Sequence, residues 1–440
     1  MATDAGWRPL RSPARAGSRG LGASPFARLA LVHALMLAGD TLITMALADS
    51  LFFSIRPGAA RGKVILYLLL TMAPFAVVGP LLGPVLDKSR TGRRTVVILS
   101  AASRALVCLS MAHHLKGLLL FPEAFAALVL SKTYLITKSA LVPSAVDREE
   151  ELVDANSRLA VLGVVAGFAI AAPGAVLLKV SFLGGDWVLR LAAVVFATAT
   201  VAAFRLRRAA GDPPPPVADE RQQLRAAGIR LAASAMAVLR GIVGFLTFLV
   251  TFGFRQTAGV PAFWFGVVLV ASLVGTFFGN LLAPRLRRLV AEERMLMGAL
   301  LVVAFVGLVA ARFGTRPAVA ALAGTVGVAA AAAKVAFDSI VQRDAPDAAR
   351  GQTFARFETR FQLVWVLGAA VPVVVTPLSR HIDLGMVVLA FAAAFAAFSY
   401  AVGRKAVAHH ASEPRASEPR ASEPRASDPR ASDQGAAEPT

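Results

Sequence analysis

The sequence predicts an all-helical membrane protein of twelve transmembrane helices arranged as two six-helix bundles. Three observations predict it. Of the 440 residues, 56% are hydrophobic and only 17% charged, with a mean hydropathy of +0.64, whereas an ordinary soluble domain carries about 25% charge. Uncharged runs repeatedly exceed the roughly 18 residues that mark a membrane span. The basic residues are also unevenly placed between the two sides that these runs define. Together these exclude a soluble enzyme.

A hydropathy window of about 19 residues gives spans one to twelve at 29–54, 64–86, 95–115, 118–142, 159–180, 187–204, 231–254, 261–284, 295–311, 317–342, 361–379 and 384–402. Lys and Arg number 46 against 27 Asp and Glu, a net charge of +19. With both termini on the cytoplasmic side, 31 basic residues fall in inner segments and 10 in or at the edge of outer ones, the asymmetry of the positive-inside rule. The positive charge is therefore a topological signal and a contact for membrane lipid headgroups. It does not indicate nucleic acid.

The domain boundaries follow. Residues 1–28 form a basic cytoplasmic arm, too closely tied to a long span to be a cleaved signal peptide. Residues 29–204 form the first bundle and 231–403 the second. Between them, 205–230 form a cytoplasmic linker in which Pro213 to Pro216 stop any helix. Residues 404–440 form a tail that repeats ASEPR from Ala411 and holds nothing that can bury an apolar face, so it is expected to be disordered. The halves look related. Val78, Gly79, Gly83 and Leu86 end span two, and Val274, Gly275, Gly279 and Leu282 end span eight. Glycines four apart share a helix face and let a neighbouring backbone approach.

Cofactor and metal chemistry find no footing. Cys108 is the single cysteine and has no partner at disulfide or metal spacing. The run Gly58-Ala-Ala-Arg-Gly62-Lys63 is one residue short of a phosphate loop and lacks its Ser or Thr, so no nucleotide site follows. No cofactor is expected, and energy for any transport must come from an ion gradient or the substrate's own.

Just after span two the chain reads Gly83-Pro-Val-Leu-Asp87-Lys88-Ser-Arg90-Thr-Gly92-Arg93-Arg94. This resembles the loop signature of the major facilitator superfamily, with two extra residues between the aspartate and the second glycine. Its counterpart after span eight, Pro284-Arg285-Leu286-Arg287-Arg288, lacks the acid. Ala140-Leu-Val-Pro143 and the acidic stretch from Asp147 to Asp154, ahead of Asn156, Ser157 and Arg158, are similar to the branch with macrolide efflux, enterobactin export and lysophospholipid transport proteins. Just after that stretch Asn156 can cap span five. The resemblance implies a multi-pass protein of the bacterial cytoplasmic (inner) membrane whose two bundles rock about a central site. It implies that Gly83, Asp87, Lys88, Gly92, Arg93 and Arg94 form a gating latch. Gly163, Gly167 and Ala172-Pro173-Gly174 in span five partly match proton-exchanging exporters of the family.

Eight ionisable residues inside the spans carry the argument: Asp40, Asp49, Arg104, Lys132, Lys138, Arg240, Lys334 and Asp338. Each costs about 2.5 to 3.5 kcal/mol on insertion scales, so each is a functional candidate. In the fold that the resemblance implies, spans one, four, seven and ten line the cavity, and these spans hold all but Arg104. His33, Asp40 and Thr44 form one polar stripe at helical spacing. Asp40, with His33, is the candidate for proton coupling; a fixed ion pair with Lys132 or Arg104 is the alternative. Lys132, too deep to snorkel, is the first candidate for substrate contact, joined by Thr44 and the i,i+4 pair Lys334 and Asp338. Lys138 and Arg240 are read as able to snorkel, and Asp49 as structural. The expected function is proton-coupled antiport that exports a small amphiphilic molecule by alternating access. The alternatives are uptake or flipping of an anionic metabolite or lysolipid, and a membrane scaffold or receptor that does not transport. The partners are thus a small-molecule substrate, protons and membrane lipid.

Overall fold

The computed structural model describes residues 24–47, 90–115, 117, 119–180, 184–206, 220–256, 260–261, 263–346 and 350–412. Among them, eleven helices are long and apolar enough to cross a membrane. Span one is Pro25–Leu47, and spans three to six are Arg90–His114, Leu120–Leu141, Leu152–Lys179 and Gly184–Ala203. Spans seven to eleven are Glu220–Gln256, Phe263–Leu289, Glu292–Phe313, Arg316–Asp344 and Arg350–Val374. After a short helix, Thr376–Arg380, span twelve runs Ile382–Ser412. Predicted span two lies outside the described residues, as do Asp49, Gly83, Asp87 and Lys88.

Helix ends explain the tight connections. Gly314 sits in the left-handed region at φ 60° and closes span nine through its N–H to the Ala310 carbonyl. One residue later the Thr315 hydroxyl accepts from the Ala318 N–H and starts span ten, with Pro317 in its first turn. A two-residue connection forces spans nine and ten to lie antiparallel and adjacent. Elsewhere the helices overrun the predicted boundaries: span seven is helical from Glu220, inside the expected linker, and span twelve continues to Ser412. A hydropathy window sees the apolar centre of a helix and misses charged turns that extend into water.

The same helix pairs recur in both halves. Spans one and five pack as seven and eleven do, one and six as seven and twelve, three and six as nine and twelve, and three and four as nine and ten. Each half has its own apolar core, one drawn from residues between Leu29 and Leu206 and the other chiefly from Ile229 to Tyr400. The outer surface is apolar too, with Phe168, Phe305, Phe395 and Phe398 exposed, as a protein solvated by hydrocarbon requires. The glycine pair of span eight does what its spacing suggests. A Cβ on Gly275 would strike the Gly324 carbonyl, and one on Gly279 would strike that of Val328, so spans eight and ten approach at backbone distance.

One end of the molecule carries both Pro25 and Ser412; it is called the near end below, and the opposite end the far end. A small apolar cluster joins the halves at the near end, where Val153 of span five packs with Ala283, Val335 and Ala336.

Candidate functional site

A cavity of about 670 Å³ lies between the halves, within the roughly 300 to 1,000 Å³ of small-molecule sites. His33, Leu37 and Thr41 of span one face it at intervals of four residues, and Lys132, Lys138 and Ser139 reach it from span four. Across from them stand Arg240 of span seven, Lys334 and Asp338 of span ten, and Phe354, Glu358 and Gln362 of span eleven. Four cations therefore face two carboxylates, a formal excess of two positive charges with His33 neutral.

Local geometry orders this set. Lys334 Nζ lies 2.6 Å from Asp338 Oδ1 on the same helix face and 3.7 Å from Glu358 Oε2. Glu358 is thus the carboxylate that ties span ten to span eleven, and it also feels the charges of Arg240 and Lys132. His33 is buried, and its Nδ1 lies 3.1 Å from the Tyr134 hydroxyl.

Asp40 does not line the cavity. It pairs with Arg104, whose side chain is fully buried, and accepts a hydrogen bond of 3.0 Å from Ser131. At about 100° per residue Asp40 shares a helix face with His33, some 20° away, and on that face it meets Arg104 and Ser131. Of the two ion pairs open to Asp40, the one with Arg104 is formed. Arg104 also lies 4.2 Å over the Phe196 ring. Thr44 is exposed, donates to the Asp40 carbonyl at 2.9 Å and is not part of the cavity wall. Lys138 and Arg240 face the cavity, where the sequence suggested snorkelling to a surface.

The near end of the cavity is closed by uncharged groups. Asn156 Nδ2 donates to Gln342 Oε1 at 2.5 Å, and Gln342 Nε2 donates to the Ser139 carbonyl at 2.9 Å. Ser157 Oγ donates to the Asn280 carbonyl. All five residues are buried, and every one of these bonds crosses between halves. Asn156 is therefore not a helix cap. The chain enters span five through the 3-10 turn Glu149–Glu151, whose carboxylates sit at the positive end of the helix, and this leaves Asn156 free to face span ten.

The described part of the expected latch points inward within the first half. Arg93 donates to the Ala140 carbonyl at 3.5 Å, and Arg94 to that of Phe204 at 2.5 Å. Gly92 and Arg93 have further contacts. In the second half, the acid missing from the loop after span eight is supplied by Glu292. It is buried, accepts from Arg287 at 2.7 Å and from Arg343 at 3.2 Å, and so clips spans eight, nine and ten together. In span five, a Cβ on Gly163 would come within 3.2 Å of Leu37, and one on Gly167 within 2.9 Å of Thr41 Oγ1. These glycines bring span one close.

Sequence reasoning missed Glu358, Phe354 and Gln362. Their signal is a spacing of four residues that begins ahead of predicted span eleven, whose start at 361 put Glu358 in a loop; the helix begins at Arg350. Gln342 and Asn280, amides inside apolar spans, were equally visible and unused. Among the described residues no cluster of three or more His, Cys, Asp or Glu is placed to hold a metal ion.

A two-bundle membrane protein with a polar cavity between its halves belongs to the class of alternating-access transport folds. Residues 29–369 match the Major Facilitator Superfamily, and the chain belongs to that superfamily, whose fold supports membrane transport. An uncharacterized protein of Mycobacterium leprae is 30% identical over 375 residues, covering 77% of this chain, and one of Mycobacterium tuberculosis is 31% identical over the same length. The chain spans 65% and 67% of the lengths of these relatives. Among solved structures, a bacterial homologue of the iron transporter ferroportin in an outward-facing state aligns with a TM-score of 0.67 at 16% identity, covering 87% of this chain and 99% of that one. The transporter FucP in the outward conformation gives 0.63 at 15%, covering 87% and 99%. The human organic anion transporter MFSD10 gives 0.63 at 15%, covering 86% and 98%. At these identities the likeness shows the fold alone.

Proposed function

We propose that the chain is a secondary active transporter that exports a small amphiphilic molecule across the cytoplasmic membrane in exchange for protons, by alternating access. The observation that carries this is the cavity between the halves, walled by charged side chains from both and shut at one end by hydrogen bonds that a rocking motion can exchange. Positive-inside counting makes the near end cytoplasmic, so the state described is open away from the cytoplasm. Uncharged hydrogen bonds suit such a gate. Each contributes about 0.5 to 1.5 kcal/mol net, so three or four give a barrier that a bound substrate can offset.

For the coupling carboxylate the cavity favours Glu358 and Asp338 over Asp40. A group that exchanges protons between sides has to meet the cavity's water, and Asp40 is held by Arg104 and Ser131 outside it. The first-half pair then serves folding. Net positive charge in the cavity favours uptake or flipping of an anionic solute as the second reading.

The test is uptake of a labelled compound panel into inverted vesicles with and without an imposed pH gradient. The proposal expects accumulation that rises with an inside-acid gradient. Accumulation indifferent to the gradient removes antiport, and no movement of any compound favours the receptor alternative.

A further inference from the structure

We infer that the cavity takes a single-chain amphiphile with an anionic head, and that the molecule passes sideways between cavity and bilayer through the opening between spans five and eight at the far end. The inference rests on the proposal that the cavity is the substrate site, and it adds the chemistry of the substrate and its route.

Charge and exposure are segregated along the cavity. Lys138, Ser139 and Asn156 form its near end, with Lys132, Arg240, Lys334 and Glu358 around them. Towards the far end its span five wall becomes Gly163, Val164, Gly167, Phe168 and Ala171, and Leu273 of span eight faces them. From Asn156 to Ala171 is fifteen residues, about 22 Å of helix. The apolar end is open: Phe168 is 69% exposed and Leu273 51%. Spans five and eight touch where Ser157 meets Asn280 and Val153 meets Ala283. Beyond that point, no described residue of span eight from Phe263 to Val274 is buried. The buried positions of span five there, Gly163 and Gly174, are covered by span one.

An opening walled by Phe, Val, Leu and Ala at bilayer depth admits hydrocarbon and is a poor path for a free ion. The cation excess at its inner end attracts an anion. One molecule satisfies both: a carboxylate or phosphate head beside Lys132 and Arg240, with its chain left in the cleft between spans five and eight. The chain need never leave an apolar environment, and only the head requires the protein.

The test uses the purified full chain in nanodiscs with Phe168→Trp as a reporter, read against the parent chain because four native tryptophans are present. Probes with bromines on the chain are compared: a lysophosphatidic acid and a fatty acid as the two anionic heads, and a lysophosphatidylcholine and an alkyl trimethylammonium as controls. Glycerol 3-phosphate and acetate serve as heads without chains. The inference expects saturable quenching by an anionic probe, with affinity at least tenfold above the controls, and which of the two heads quenches identifies the head chemistry. It expects at least a tenfold loss with Lys132→Gln or with Arg240→Gln, each checked by thermal unfolding; should one variant fail to fold, the other carries the comparison. Equal quenching by all chains, or quenching unaffected by both substitutions, means annular lipid and overturns the inference. So does head-only binding as tight as that of the chain-bearing probes. Specific quenching without transport in vesicles leaves the inference standing and removes the transporter proposal instead.

Discussion

Among the described helices, the two halves repeat one set of contacts and differ most in one pair. Spans seven and ten pack closely, whereas their counterparts one and four do not. Side chains span the gap in the first half: Ser131 to Asp40, Tyr134 to His33, and Arg104 from span three to Asp40. In the second half the corresponding charges, Lys334, Asp338 and Glu358, sit on the cavity wall. The same fold thus uses buried charge in two ways, as a bracket between helices at Asp40 and Arg104 and as a cavity wall at Lys132, Lys138, Lys334, Asp338 and Glu358. Membrane burial alone does not separate the two uses; the neighbour that each group meets does.

Breaking the bracket has the largest expected effect. Arg104→Met leaves the Asp40 carboxylate without its cation, and removing one partner of a buried pair costs about 3 to 5 kcal/mol. Thermal unfolding in detergent is expected to show a protein that barely folds, while Asp40→Asn combined with Arg104→Gln recovers most of the stability. A small loss for Arg104→Met alone means that the pair does not hold the first bundle together and erases the contrast.

Next in size is a tight backbone contact. Gly275→Leu forces spans eight and ten apart, at the 1 to 3 kcal/mol typical of overpacking, and a lower unfolding temperature with less folded protein is expected. Unchanged stability would mean that the two helices have room to slide.

Substitutions on the cavity wall are expected to spare the fold and alter transport. Glu358→Gln keeps its size and hydrogen bonding, so unfolding should shift little while accumulation driven by a pH gradient is lost and exchange down a substrate gradient survives. The neutral pair Asp40→Asn with Arg104→Gln is expected to keep gradient-driven accumulation. The reverse pattern, coupling lost in the first half and kept in the second, returns proton coupling to Asp40.

Eleven of the twelve expected spans, the two-bundle arrangement and the close packing of Gly275 and Gly279 were legible because hydropathy and glycine spacing report on one helix at a time. Lys132, Lys334 and Asp338 were legible as costly groups, and they meet in one cavity. Asp40 was harder, since its stripe with His33 and Thr44 is real on the helix while the neighbour it faces depends on how three helices pack. Glu358 was hidden by a boundary error of three turns. The lock of Asn156, Gln342 and Ser139 was invisible because no local pattern marks an amide that bonds across 186 residues of chain.

The central claim is that the halves rock about a cavity held shut at the near end by neutral hydrogen bonds. Spin-label distances test it most directly in a chain whose one cysteine, the buried Cys108, is replaced. One pair of labels goes at Arg158 and Leu289 of the near end, whose side chain and residue are 67% and 79% exposed, and another at Val176 and Phe263 of the far end, each 61% exposed. Removing the lock with Asn156→Ala and Gln342→Ala is predicted to lengthen the first distance and shorten the second in the same population of molecules. Two distances that stay fixed, or that lengthen together, contradict the account.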